Sequence, residues 1–390
     1  MVRLLFLLQA VGYGGVEMAL YDLLSGLNEQ EFHATVYVYY PGGELEPAFQ
    51  ELCEKKGFCM ARMFPDVKPE RSLIGKLKNH YLLNMVEPAK FTRPRRFYRH
   101  AIKGTYDIEV AFSFAGAPLI IGASPNRKSK KVAWIHGDMK QNGWCLRHYK
   151  NLKQQSDNYR QFDKIICVSN TVKQAFYEMM GDVPNVTVLN NPVNTDKIRT
   201  LSKEPLPPEI ANFVDENTLC TVGRISAEKG YERLLHIHRQ LLDEGGFHKL
   251  IIVGDGPDRE KLERLLDQLC LRDTVKIMGF DSNPYRYMSK ARFFVCSSFT
   301  EGLPVVAQET LILERPIVSS HPSVGELFQG KQCGIISGMD DDSLKDALRK
   351  MLTDEDFYQH CLDEAHEVGS TIQQKTMVEA IEQMFRDVLK

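Results

Sequence analysis

The stretch TLCTVGRISAEKGYERLL, residues 218–235, holds the local pattern that decides the fold. A short run of apolar and β-branched residues ends at a glycine turn, and an amphipathic helical pattern follows within ten residues. This unit predicts a buried parallel strand that leads through a tight turn into a covering helix. Because similar units recur along the whole chain, the sequence predicts parallel sheets with helices packed on both faces.

The chain has 390 residues, more than one hydrophobic core usually serves, so two domains are expected. The strand–helix alternation stops within residues 191–217, which are rich in proline and charge and predict a linker, and it starts afresh at residue 218. We predict an α/β chain of two Rossmann-like, doubly wound domains that face a cleft. The predicted segments are a first domain over 1–195, a second over 196–370 and a final amphipathic helix over 371–390.

The cysteines and the N-terminus indicate the compartment. The nine cysteines are odd in number, scattered and without a CxxC pair, which favours reduced thiols over disulfides or a zinc site. The short apolar run at the N-terminus breaks into glycines rather than into a signal-peptide cleavage site, and no stretch approaches the length of a spanning helix. We therefore expect a cytoplasmic protein.

The net charge of −2 conceals an uneven distribution, because residues 1–195 hold 25 basic and 18 acidic side chains. Residues 71–103 contain nine basic residues, one acidic residue and interleaved apolar and aromatic side chains. Such a segment can lie on an anionic membrane, with apolar groups inserted and basic groups at the headgroups. The alternative is a solvated helical hairpin with a basic outer face.

Two glycine-containing turns have the residues to hold an anion. In QAVGYGGVEMAL (9–20), Gly14 and Gly15 stand where a helix begins, and helix N-termini offer unpaired N–H groups to phosphate. The glycine spacing differs from the dinucleotide-binding pattern, which disfavours a nicotinamide site. In the opening stretch, Arg224 and Lys229 lie on the turn and at the following helix start. Two cations there can hold a diphosphate.

Two further strand ends offer groups for a sugar and a base. In SSFTEGLPVVAQETL (297–311), carboxylates at Glu301 and Glu309 flank a Gly-Pro turn, and carboxylates accept pairs of vicinal hydroxyls well. The helix dipole alone would explain an acid at Glu301, but Glu309 lies too deep in the helix for that explanation. Main-chain groups from Met278 to Phe280 could contact a base, although a buried strand end is an equal alternative.

Taken together, these residues resemble retaining glycosyltransferase family 4, which has the GT-B fold. The resemblance rests on Glu301 and Glu309 as an E-x7-E element, on Arg224 and Lys229, on the GDGP turn (254–257) and on the N-terminal glycine loop followed by glutamate. WIHGD (134–138) is similar to the strand end where the family often places a histidine beside the sugar, here His136. The match is strong over 217–320 and loose over 40–130.

The resemblance implies a nucleotide-sugar donor, with no metal or other cofactor and no nucleic acid as partner. It places Glu309 on the ribose, Glu301 on the sugar, and Arg224 with Lys229 on the diphosphate, where they also stabilise the departing charge. It also implies that the final helix packs back on the first domain. The remaining implied donor contacts are Gly14, Gly15, Met278, Phe280, Gly302, Leu303 and Pro304.

The implied reaction is retaining transfer of a hexose or N-acetylhexosamine, with His136 positioning the acceptor or polarising a hydroxyl. We expect a UDP-sugar rather than GDP-mannose, and a glycan or lipid-linked acceptor at the inner face of the cell membrane, as in capsule or exopolysaccharide synthesis. A UDP-sugar epimerase of the same fold is the nearest alternative. The DDD run in MDDDSL (339–344) predicts a helix N-cap rather than a metal site.

Overall fold

The structure is a computed structural model that describes residues 1–40, 42–63, 94–113, 116–140 and 148–390. The described chain forms two compact units. The first consists of Met1–Pro192 together with Gln374–Lys390, and the second is Val193–Gln373. The predicted limits at residues 195 and 370 each lie three residues from these observed ones.

The first unit is built on a parallel sheet of seven strands in the order β3-β2-β1-β4-β5-β6-β7. Its strands are β1 (Val2–Leu8), β2 (Phe32–Val38), β3 (Cys59–Arg62), β4 (Ile108–Ala111), β5 (Lys130–Ile135), β6 (Lys164–Cys167) and β7 (Val186–Val188). Its described helices are α1 (Gly15–Gly26), α2 (Glu46–Lys56), α3 (Pro94–Ala101), α4 (Ala117–Gly122), α5 (Leu152–Tyr159), α6 (Asn170–Met180) and, from the C-terminus, α15 (Gln374–Leu389).

The second unit is built on a parallel sheet of six strands in the order β10-β9-β8-β11-β12-β13. Its strands are β8 (Thr218–Val222), β9 (Lys249–Val253), β10 (Val275–Gly279), β11 (Phe294–Cys296), β12 (Ile317–Ser319) and β13 (Gly334–Ile336). Its α-helices are α7 (Thr195–Leu201), α8 (Pro208–Ala211), α9 (Tyr231–Asp243), α10 (Arg259–Gln268), α11 (Tyr285–Met288), α12 (Val305–Ile312), α13 (Asp341–Thr353) and α14 (Glu355–Thr371), and its 3-10 helices are Ala227–Lys229 and Pro322–Phe328.

Burial on both faces explains why the central strands are almost entirely apolar. In β1, every residue from Leu4 to Leu8 is buried, because helices cover the sheet on each side. The amphipathic helix α9 turns Leu234, Leu235 and Ile237 toward the second sheet. The prediction of two doubly wound, Rossmann-like parallel sheets is confirmed.

The final helix α15 packs on the first sheet through its apolar face. The ring of Phe385 lies 6.2 Å from that of Phe6, centre to centre, and 6.0 Å from that of Phe32. At its outer edge Arg386 donates to both carboxylate oxygens of Glu31, at 2.8 and 2.7 Å. The helix therefore contributes to the core of the first unit although the second unit precedes it in sequence.

The prediction of a linker over residues 191–217 is wrong about the structure of this segment, which contains helices. These residues form the short helices α7 and α8, whose Ile198 and Ile210 are buried in the second unit. The side-chain nitrogen of Asn283 donates to the carbonyl of Leu201 at 3.0 Å and to Glu204 at 2.8 Å. Proline and charge thus mark short helices here rather than an extended connection.

Most of the basic segment predicted to bind membranes, residues 71–93, lies outside the described residues. Its C-terminal part forms α3, in which Phe97 and Tyr98 are buried while Arg95, Arg96 and Arg99 are exposed. In the described chain, no helix has both the length and the hydrophobicity needed to cross a membrane.

A pair of buried histidines lies within the second unit. The rings of His238 in α9 and His248 before β9 are 4.3 Å apart, centre to centre, and the Nε2 atom of His238 is 3.0 Å from the Thr274 hydroxyl. Burial lowers the pKa of His238 to about 2, with further contributions from His248 and Arg239, and burial lowers the pKa of His248 to about 4.

We expect acid to destabilise the second unit through this pair. Both folded pKa values lie below the ordinary value of 6.5, so the unfolded chain takes up protons first as the pH falls. The stabilising effect is complete above about pH 6.5 and is lost as the pH falls toward the folded values. His248 alone should lower the free energy of unfolding by about 2 kcal/mol between pH 7 and pH 5. Hydrogen exchange of peptides from residues 193–373 measures this change.

The variant His248→Phe should lose much of that pH dependence, because a phenyl ring keeps the packing and takes up no proton. His236 in α9 is exposed, so His236→Gln is the matched control. An unchanged pH dependence in His248→Phe would show that this histidine does not cause the acid sensitivity.

Candidate functional site

The carboxyl ends of the strands in the second sheet bring four turns together, as expected for parallel strands. At two places the backbones of these turns approach so closely that only a glycine fits. At Gly254 a Cβ atom would overlap the carbonyl oxygen of Gly223, and at Gly230 it would overlap that of Ser297. Both glycines have positive φ angles, +146° and +66°. The turns after β8, β9 and β11 thus pack backbone against backbone.

Main-chain hydrogen bonds fix these turns further. The N–H of Ile225 donates to the carbonyl of Asp255 at 2.9 Å, and the N–H of Phe299 donates to the carbonyl of Glu228 at 2.8 Å. Each bond joins the turn after β8 to another turn. The segment that carries Arg224 and Lys229 is therefore held from both sides.

Lys229 and Glu301 form an ion pair across this edge. The Lys229 Nζ atom lies 2.6 Å from Glu301 Oε1, and the two side chains are only 22% and 12% exposed. Burial alone would lower the pKa of Lys229, but the adjacent Glu301 carboxylate outweighs it and the pKa is raised. The side chains predicted for the diphosphate and for the sugar therefore neutralise each other in this structure.

The other groups predicted around this pair lie on the same turns. Arg224 is exposed on the turn after β8. Gly302, Leu303 and Pro304 are buried between β11 and α12, and Pro304 is the N-cap of that helix. A proline at this point costs no intrahelical hydrogen bond, so the following amides remain available at the helix start.

Glu309 lies on the second turn of α12, where its Oε1 atom accepts a hydrogen bond from the Tyr285 hydroxyl at 2.9 Å. Tyr285 is buried at the start of α11. The sequence analysis missed this tyrosine, because a tyrosine after proline in a short helix has no local signal that distinguishes it. The contact spans 24 residues and arises only in the folded chain.

The predicted base-contacting residues lie at the end of β10. The strand register shifts between Ile277 and Gly279, which leaves Met278 as the extra residue of a bulge. Phe280, directly after the strand, is 53% exposed. Gly279 has a φ angle of +77°, so the chain turns sharply there. A large exposed ring beside a strand end can stack on a planar ligand.

Gly14, Gly15 and His136 belong to the first unit. Gly14 is the extended N-cap of α1, as the glycine loop predicted. His136 is buried after β5, and its Nδ1 atom lies 3.4 Å from the side-chain nitrogen of Asn191. Burial lowers the pKa of His136 to about 3, while the backbone of Phe112 acts in the opposite direction. At neutral pH this histidine is uncharged.

A second residue that was not predicted from the sequence is Arg233, in the first turn of α9. Its side chain is only 5% exposed and donates to the main chain of two other turns. Its position among the apolar residues of the core-facing side of α9 indicates burial, but no local pattern indicates its long-range partners. The predicted N-cap at the start of α13 is confirmed, since the Asp340 side chain accepts from the N–H of Ser343 at 2.8 Å.

Comparison with known families decides the classification of the chain. The family model for glycosyl transferases group 1 matches residues 202–368, and that for glycosyltransferase family 4 matches residues 13–197. The chain belongs to glycosyltransferase family 4. The predicted resemblance is thus confirmed at the level of the family.

Individual relatives of this family 4 chain match it in part. A glycosyltransferase of Methanocaldococcus jannaschii that is described as uncharacterized is 31% identical over 43% of the chain and 42% of its own length. The N-acetylgalactosamine-N,N'-diacetylbacillosaminyl-diphospho-undecaprenol 4-alpha-N-acetylgalactosaminyltransferase of Campylobacter jejuni is 32% identical over 35% of the chain and 38% of its own length. The chain thus spans about two fifths of the length of these curated relatives.

Solved structures match over the full length. HepE of Anabaena, solved in complex with UDP and glucose, has a TM-score of 0.73 and 18% identity, and the match covers 99% of the family 4 chain and 100% of HepE. Sucrose-phosphate synthase of Thermosynechococcus elongatus has a TM-score of 0.72 and 16% identity, with 100% and 99% coverage. The predicted GT-B fold is confirmed.

The ion pair predicts how the chain responds to a bare diphosphate. If pyrophosphate binds at Lys229, it competes with Glu301 for that cation, so the variant Glu301→Gln should bind pyrophosphate about three- to tenfold more tightly than the unmodified chain. Titration calorimetry measures the dissociation constants. Glu244→Gln is the matched control, because Glu244 stands at the C-terminal end of α9, opposite the end near Lys229, and pairs there with Arg349 of α13. Equal or weaker binding by Glu301→Gln would show that the carboxylate does not compete at this site.

Proposed function

We propose that this chain is a retaining glycosyltransferase that moves a hexose or N-acetylhexosamine from a UDP-sugar to a sugar or lipid-linked saccharide acceptor. Its family membership and its GT-B fold support transfer from a nucleotide-sugar. The UDP and glucose of the HepE complex support the donor class, and the undecaprenol-linked acceptor named for the Campylobacter jejuni relative supports the acceptor class.

The observation that carries the proposal is the Lys229–Glu301 pair at the edge of the second sheet. Lys229 is a partly buried cation that lies beside a helix start and beside the exposed Arg224. This arrangement suits a diphosphate, which carries two negative charges in a small volume. In the proposal, Lys229 exchanges Glu301 for the diphosphate and Glu301 is released toward the sugar. Glu309 takes the ribose hydroxyls, and Phe280 covers the base.

The chemistry follows from where charge develops. As the glycosidic bond to UDP breaks, the departing diphosphate gains negative charge, and Arg224 and Lys229 stabilise that charge more in the transition state than in the ground state. We propose same-face attack by the acceptor hydroxyl, whose proton passes to the departing phosphate. His136 is neutral at physiological pH, so it is proposed to act as a hydrogen-bonding group that positions a hydroxyl and not as a cation.

The decisive assay measures release of nucleoside diphosphate from a panel of UDP- and GDP-linked sugars, with and without saccharide acceptors. We expect acceptor-dependent UDP release and an α-linked product from an α-linked donor. Conversion of the UDP-sugar to its epimer without UDP release would contradict the proposal and favour an epimerase.

The variants Glu309→Ala and Arg224→Ala should each lower the transfer rate at least a hundredfold, because each removes a proposed donor contact. Their circular dichroism spectra should match that of the unmodified chain. Arg264→Ala, which removes an exposed arginine paired only loosely with Glu260, is the matched control. Full activity in either of the first two variants would overturn the site assignment.

We further propose that the chain binds the inner face of the cell membrane through its basic N-terminal segment, where a lipid-linked acceptor would be found, as in capsule or exopolysaccharide synthesis. The exposed basic face of α3 supports this proposal. Each basic side chain near an anionic surface contributes about 1 kcal/mol to binding.

Replacing Arg95, Arg96 and Arg99 by glutamine should therefore weaken binding to phosphatidylglycerol vesicles at least tenfold in a sedimentation assay. The control removes three exposed lysines elsewhere, Lys153, Lys375 and Lys390. Equal loss in both variants, or no loss in the first, would contradict a specific membrane-binding face.

A further inference from the structure

Arg233 is a buried cation directly behind the candidate site. It lies in the first turn of α9, four residues after Lys229, which ends the preceding 3-10 helix, and its side chain is 5% exposed. Burial lowers the pKa of its guanidinium despite the nearby aspartates. Arginine is rarely buried unless its donors are satisfied and its position is needed, so its contacts require an explanation.

The donors of Arg233 reach three separate segments at the carboxyl edge of the sheet. Its Nε and Nη2 atoms both donate to the carbonyl of Ser297 after β11, at 3.0 and 2.6 Å. Its Nη1 atom donates to the carbonyl of Met339 after β13 at 2.7 Å. Its Nη2 atom also donates to the hydroxyl of Ser320 after β12. A planar guanidinium offers five donors in a fixed fork and so can bridge acceptors on separate segments, whereas an ammonium group offers three donors on a single atom.

The charge of Arg233 is held mainly by carbonyl oxygens. Its carboxylate partner, Asp341, stands 3.7 Å away and its side chain is 62% exposed, so solvent screens that pair. The ring of Phe299 lies over the guanidinium at 4.2 Å and covers it on one side. A positive charge that is shielded from solvent acts over a longer distance than an exposed one.

Ser297 connects Arg233 to the ion pair. While its carbonyl accepts from Arg233, its hydroxyl donates to the carbonyl of Lys229 at 2.8 Å. Glu301 follows Ser297 by four residues on the same turn. The spacing between the backbones of Lys229 and Glu301 therefore depends on a segment that Arg233 holds with two hydrogen bonds.

We infer that Arg233 is a positioning residue for the donor diphosphate: it fixes the Ser297 segment against Lys229 and adds a buried positive charge behind the anion. The inference rests on the proposed function, since it assumes that a nucleoside diphosphate binds at Lys229. Arg233 does not touch the donor in this account and acts through Ser297 and Lys229.

The test compares Arg233→Met with Arg292→Met. Arg292 is an arginine of the same unit whose side chain is 9% exposed and pairs with Glu355. Its main-chain N–H donates to the carbonyl of Thr218 at the start of β8, which places it at the opposite end of the strands. Both variants should lower the melting temperature. Arg233→Met alone should weaken UDP binding at least tenfold and lower kcat for transfer, whereas Arg292→Met should leave the dissociation constant for UDP within twofold.

Arg233→Lys keeps the charge without the fork and perturbs the packing less, so it serves if Arg233→Met does not fold. We expect its UDP affinity to lie between those of the unmodified chain and the methionine variant. Arg233 is merely structural if Arg233→Lys changes only the melting temperature and binds UDP as the unmodified chain does. The same conclusion follows if Arg233→Met and Arg292→Met both change only the melting temperature and keep normal UDP binding. If the unmodified chain itself does not bind UDP, the proposed function fails instead.

Discussion

The close approach of backbones at the carboxyl edge of the second sheet is the constraint on which the candidate site depends. Gly254 lies against the carbonyl of Gly223, and Gly230 lies against that of Ser297, at distances that exclude any Cβ atom. These contacts bring the turns after three strands into one compact surface. Side chains from segments some 70 residues apart in sequence can then meet, as Lys229 and Glu301 do.

The electrostatics of this surface are balanced internally. Lys229 is paired with Glu301, and Glu309 accepts from Tyr285, so these charged groups each have a partner within the chain. Such pairing keeps the fold stable at a cost to ligand affinity, because a donor must displace existing contacts. A ligand that offers both a diphosphate and hydroxyl groups can replace both partners, with the diphosphate in place of Glu301 at Lys229 and the hydroxyl groups in place of Tyr285 at Glu309.

The sequence was sufficient for the fold and for part of the site. The apolar runs predicted both sheets because parallel strands are buried on two faces, and the glycine and proline turns placed Lys229 and Glu301 on the turns that follow strands. Two features were not predictable in this way. Residues 191–217 form the packed helices α7 and α8, because tertiary contacts decide whether a proline-rich segment becomes helical. Arg233 joins three segments through long-range contacts that local patterns do not contain.

We propose that the diphosphate of a nucleotide-sugar binds at Lys229 and Arg224 and releases Glu301 toward the sugar. A crystal structure of the chain with a bound UDP-sugar tests it most directly. We predict phosphate oxygens within hydrogen-bond distance of both cations, the ribose hydroxyls on Glu309, and the Lys229–Glu301 pair broken. A diphosphate bound elsewhere, or one bound with that pair intact and Glu309 without a ribose contact, would contradict the account.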